Sequence, residues 1–94
     1  MTGFFITRKS GFHITFSNGW TVSVQFGPGN YCDNYGRDIG REEEACGKEG
    51  STTAECAVWG PDGEMVARPG WDSTVSNRST PTEVLELLNW ASTQ

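Results

Sequence analysis

The chain has 94 residues, of which 35% are hydrophobic and 12% aromatic, and it carries a formal net charge of -5. That length makes one domain, 1–94, with a small core that leans on four Trp and five Phe. Seven Lys plus Arg give too weak a positive footprint for a nucleic-acid backbone, whereas an acidic surface suits solubility, a basic protein partner or mimicry of nucleic acid.

In chain order, MTGFFITRKSG has its charges after a short apolar run, unlike a signal peptide. Phe4 to Arg8 predicts a short strand whose face is ambiguous, because Phe4, Phe5 and Ile6 are all apolar. Strict alternation follows on both sides of Asn18-Gly19: Phe12, Ile14 and Phe16, then Trp20, Val22, Val24 and Phe26. A two-residue turn would send these two apolar rows to opposite faces. A three-residue turn, Ser17-Asn18-Gly19 with Gly19 left-handed, pairs Phe16 with Trp20, Ile14 with Val22 and Phe12 with Val24. One face is then wholly apolar, and a one-residue slip loses it.

The stretch 27–53 reads as a long loop, roughly twice the length at which structureless connections become uncommon. It opens with FGPGNYCDNYGRD and holds the acidic run REEEACGKEG. AECAVWGPDGEMVAR then predicts a second hairpin, with Pro61 and Gly63 in the turn, Trp59 opposite Met65 and Val58 opposite Val66. Apolar residues on both sides of it predict strands covered on two faces. RPGWDSTVSNRS, 68–79, reads as a connecting loop. Finally, Thr80, Pro81 and Glu83 form a capping-box signature for a helix at about 81–92, with Val84, Leu87, Leu88 and Ala91 on one stripe. Leu85 and Trp90 lie at its two margins. The expected fold is therefore α+β, an antiparallel sheet of about 4–5 strands with one C-terminal helix packed on it.

Catalytic patterns are missing from the sequence. His13 is the single histidine; it falls opposite Ser23, but no G-x-S-x-G elbow accompanies the pair. Glu42, Glu43 and Glu44 repel one another and read as a solvated run. Asp33 and Asp38 lack the ligand alternation of a calcium loop, and GPGN lacks the Gly-Lys-Ser/Thr ending of a P-loop. These absences argue against an enzyme, and no cofactor is implied. Cys32, Cys46 and Cys56 are odd in number without CxxC spacing, which fits free thiols in a reducing cytoplasm. A Cys32–Cys46 bridge, or zinc held by the three with His13, is the competing use. No apolar run approaches membrane-spanning length.

Binding chemistry concentrates in the two loops. Asn30 and Asn34 supply amide donors and acceptors, Tyr31 and Tyr35 flat rings with polar tips, and Arg37 a planar cation for phosphate. Trp71, Asn77 and Arg78 offer the same set in the second loop. Stacking, base-edge reading and phosphate contact are what a nucleotide-sized ligand requires. The bland alternative is that the tyrosines cap the sheet edge and the rest is turn chemistry.

GFHITFSNGWTVSVQFGPGNYCDN, AECAVWGPDGEMV and STPTEVLELLNWAS together resemble small proteins carried by tailed phages and prophages. That resemblance implies a counter-defence role in the cytoplasm of an infected bacterium. The expected function is a sponge that sequesters a nucleotide-derived signal. The alternative is an acidic, anti-CRISPR-like inhibitor of a host defence nuclease. Four Trp in so short a chain also lead us to expect a homo-oligomer, joined through the polar hairpin face with His13 or through the long loop.

Overall fold

The computed structural model describes residues 2–8, 10–37 and 50–94. Five strands, β1 (Gly3–Thr7), β2 (Gly11–Thr15), β3 (Thr21–Gln25), β4 (Ala54–Trp59) and β5 (Val75–Ser79), precede one helix, α1 (Pro81–Ser92). The sheet is antiparallel throughout, in the order β1-β2-β3-β4-β5. The α+β class therefore stands as expected.

The first hairpin has the register its alternation predicts. Phe12 faces Val24 and Ile14 faces Val22, and the Phe16 amide donates to the Trp20 carbonyl at 2.9 Å. Gly19 closes the turn at φ +87, a conformation that L side chains rarely adopt. In the second hairpin Trp59 bridges Met65, Val66 donates to the Val58 carbonyl at 2.9 Å, and Gly63 is left-handed at φ +84.

Two expectations are corrected beyond that turn. The return arm is no full strand, since Trp59–Met65 is an isolated bridge and Ala67 is exposed. Instead Val75–Ser79, placed in the connecting loop by its sequence, forms β5 and takes the first half of β4, Ala54 opposite Ser79 and Ala57 opposite Val75. Val75-Ser-Asn-Arg-Ser shows no apolar alternation because it is an edge strand, held by backbone bonds and open to solvent.

Helix α1 begins as its sequence says. The Thr80 hydroxyl accepts from the Glu83 amide at 3.2 Å, and the Glu83 carboxylate accepts from the Thr80 amide at 3.0 Å. Leu87 and Ala91 are buried against Val22, Val24, Ala54, Cys56 and Val58, while Trp90 meets Trp20 edge to face at 5.5 Å. Leu85, at the stripe's margin, points to solvent.

A further correction concerns cover. The helix packs on β3, β4 and β5, so one face of the sheet is covered, and only in part. Strands spaced about 4.8 Å apart make a five-stranded sheet roughly 20 Å wide, about twice the width of one helix. Phe4 and Ile6, on the helix side of β1, are left exposed. The opposite face carries Phe5 and Trp59 but is otherwise polar and self-satisfied: Thr15 and Thr21 share a hydrogen bond at 2.8 Å, and the Gln25 carboxamide accepts from Thr7 and Ser10, both at 2.8 Å. Among the described residues, no helix is long and apolar enough to cross a membrane.

Candidate functional site

The loop that leaves β3 is ordered by its own side chains. From Asn30 to Tyr35 burial alternates: Asn30, Cys32 and Asn34 turn inward, and Tyr31, Asp33 and Tyr35 outward. Gly27 permits the close approach, since a Cβ there would lie 2.6 Å from that of Ser10. The Asn30 side-chain oxygen accepts from the Gly27 amide at 3.1 Å, and its NH2 donates to Glu55 at 3.4 Å. Cys32 is fully buried, its thiol donating to the Gly27 carbonyl at 3.5 Å. Asn34 is sealed from solvent; its NH2 donates to the Phe26 carbonyl at 2.8 Å and its oxygen accepts from Arg37 at 3.4 Å.

The outward side is a platform. The rings of Tyr31 and Tyr35 stack at 5.2 Å with 24° between their planes, and the residues are 51% and 52% exposed. Between them in sequence, Asp33 accepts from the hydroxyl of Thr52 and, at 2.9 Å, from that of Thr53. It also pairs with the Arg78 guanidinium at 3.3 Å. Hydrogen bonds from Thr52 and then Thr53, with a smaller contribution from the Arg78 charge, hold the Asp33 carboxyl below the usual carboxylate range. Arg78 reaches this place from β5, its amide donating to the Tyr31 carbonyl at 2.9 Å. Its backbone is left-handed, at φ 52.

Of the residues proposed on sequence grounds, the fold stacks Tyr31 on Tyr35 and ties Arg78 to the same loop through Asp33 and the Tyr31 carbonyl, while Arg37 bonds to the inward Asn34. Asn30 and Asn34 brace the loop from within. Asn77 is exposed in β5 beside Arg78, and Trp71 is half-buried against the core. Sequence reasoning missed Asp33, Thr52 and Thr53, which tie the two ends of the long loop together. Three polar residues within bonding reach of one another left no mark in spacing, because 19 or 20 positions separate the threonines from the carboxylate. Glu42, Glu43, Glu44 and Cys46 lie outside the described residues.

The other reactive groups are set apart. His13 faces Ser23 across the hairpin as expected, packs against the edge of Trp59 at 5.0 Å, and has its pKa lowered by burial. Cys56 sits in the helix-side core, where burial pushes its thiol up to about 11. Their partners in β3, Ser23 and Val24, are successive residues, so the two groups lie on opposite faces of the sheet. No three His, Cys, Asp or Glu side chains converge among the described residues. A concavity of about 370 Å³ opens between the start of α1 and the sheet, walled by Phe12, Val24, Phe26 and Val84 and bordered by Gly50 to Thr53. It has no charged wall. No family model, curated protein or solved structure matches the chain, so its fold and site stand on their own geometry.

Proposed function

We propose that this chain is a non-enzymatic binding protein that holds a planar, phosphate-bearing ligand of the nucleotide type on the Tyr31–Tyr35 platform. The observation that carries the reading is the stacked, half-exposed tyrosine pair. An aromatic face left open to water is a stacking surface for a base, and such a contact contributes about 1–3 kcal/mol. Arg37, two residues after Tyr35, and Arg78, whose amide bonds to the Tyr31 carbonyl, serve as phosphate donors, Arg78 exchanging its Asp33 partner for the phosphate. Holding Arg78 left-handed costs about 1–2 kcal/mol, and strain kept at a rim supports a functional use of that side chain. With the resemblance to phage-carried proteins, the setting is counter-defence: sequestration of a nucleotide signal in the cytoplasm of an infected bacterium.

Calorimetry with cyclic nucleotides and cyclic ADP-ribose isomers tests this. Tyr31→Ala, Tyr35→Ala and Arg37→Ala each weaken binding by roughly tenfold or more, the equivalent of about 1.4 kcal/mol. Arg78→Gly removes the charge while relieving the positive φ, so it weakens binding without lowering stability. The second reading, an inhibitor of a host nuclease, draws support from the exposed apolar residues of β1. It takes over if no ligand binds below about 1 mM while charge reversal at Glu42–Glu44 abolishes activity in cells.

A further inference from the structure

The two edges of the sheet differ. β5 is polar, carries a register shift against β4 and bears the left-handed Arg78, all of which blunt it against further pairing. Within Gly3–Thr7, β1 has none of these protections; a charge and a left-handed residue come only at Arg8, in the turn that follows. From Thr2 to Thr7 it contains no charge and no proline, and Phe4 and Ile6 are 75% and 86% exposed.

The hydrogen-bonding parity of β1 follows from the hairpin beside it. Phe16 bonds to Trp20, so the even residues of β2 direct their backbone groups to β3, and the odd residues direct theirs to β1. Gly3, Phe5 and Thr7, opposite Thr15, His13 and Gly11, receive them. The N–H and C=O groups of Phe4 and Ile6 therefore point out of the open edge.

We propose that this edge pairs with the same edge of a second copy of this chain, antiparallel about a two-fold axis through Phe5. Only that register overlaps the whole of Gly3–Thr7 with itself. Phe4 then forms a hydrogen-bonded pair with Ile6 of the second copy, and Ile6 with its Phe4, making four backbone bonds in all. Phe5 meets its own counterpart at the closer, non-bonded position on the other face. A two-fold contact uses one kind of edge twice and closes; the blunt β5 opposes head-to-tail growth into a fibre. With aromatic side chains of about 200 Å², the strand offers roughly 400 Å² per copy. The total of about 800 Å² falls below the ~1,200 Å² of a standard interface, so the dimer is weak and concentration-dependent.

Sedimentation equilibrium of the intact chain then shows mass rising from monomer toward dimer between about 10 µM and about 1 mM, the affinity range of small transient interfaces. Ile6→Lys raises the dissociation constant more than tenfold and leaves the melting temperature of the dilute protein unchanged. In the unmodified chain, amide exchange at Phe4 and Ile6 slows on concentration. In a Cys46→Ser background, Phe5→Cys oxidises to a covalent dimer, whereas Phe4→Cys alone does not. A chain that stays monomeric at millimolar concentration overturns the proposal, as does dimerisation indifferent to Ile6→Lys. Cross-linking through Phe4→Cys in place of Phe5→Cys overturns the register and the two-fold with it.

Discussion

The Asn18 side chain donates to the Ala91 carbonyl at 2.8 Å, so a hairpin turn near the start of the chain caps the helix at its end. The same amide reaches the Gln94 carbonyl at 3.1 Å, and its oxygen accepts from the Trp20 amide at 3.0 Å. No basic residue occupies the last turn of α1, and Asn18 joins Ser92, Thr93 and Gln94 as a donor to its terminal carbonyls, bringing that donor from a distant turn. Asn18→Asp keeps the shape and the acceptor but exchanges the donor for an anion facing carbonyl oxygens. It is expected to cost about 1–3 kcal/mol, more than Asn18→Ala, as read from urea midpoints at neutral pH. Equal midpoints for the two variants would remove the capping argument.

Gly19 sits at φ +87, and an added Cβ would lie 3.0 Å from the Pro61 ring. Gly19→Ala therefore meets both backbone strain and a crowded neighbour in the second hairpin turn. The expected loss is about 1 kcal/mol or more. Thermal unfolding checks it, and an unchanged midpoint would contradict the bulged turn.

Asn34 and Tyr35 are adjacent, yet their substitutions should separate. Asn34→Ala empties a fully buried position, leaves the part-buried Phe26 carbonyl without that donor and removes the Arg37 contact, a loss of about 1–3 kcal/mol. Tyr35→Ala removes a half-exposed ring and stays within about 1 kcal/mol, as surface changes usually do. Chemical denaturation of the two variants side by side distinguishes a bracing residue from a presenting one. Similar losses for both would mean that the platform is part of the core.

Cys56 links stability to alkaline pH. Its thiol has an ordinary value of 9.0 and is pushed up to about 11, with burial as the main cause. Between those values the unfolded chain gives up the proton and the folded chain keeps it. Stability from this group is therefore complete below pH 9 and lost as pH rises toward 11. The loss amounts to roughly 2–3 kcal/mol at one pKa unit per 1.36 kcal/mol. Cys56→Ala should flatten that limb of the stability profile measured by urea titration from pH 8 to pH 11. An unaltered slope would show that other groups cause the alkaline loss.

Some of this architecture is legible in the sequence. Period-two spacing around Asn18-Gly19 determined the first hairpin's register, because a slip by one residue would turn every apolar side chain to the wrong face. Thr80, Pro81 and Glu83 determined where α1 starts, since capping is a contact among residues three apart. The turn at Pro61 to Gly63 was readable for the same reason. In each case the interacting groups are close in sequence, so their spacing records their geometry. Tertiary structure alone decided the rest. Val75–Ser79 became a strand because β4 had an open edge to offer, and backbone pairing at a solvent edge demands no particular side chains. The inward turn of Asn30, Cys32 and Asn34 depended on Phe26, Gly27 and Glu55 arriving beneath them, and Asp33 found Thr52, Thr53 and Arg78 only once the sheet had closed that distance. The exposure of Phe4 and Ile6 came from width: one helix is too narrow for five strands, and the strand left bare is the one farthest from where β5 delivers the chain to Thr80.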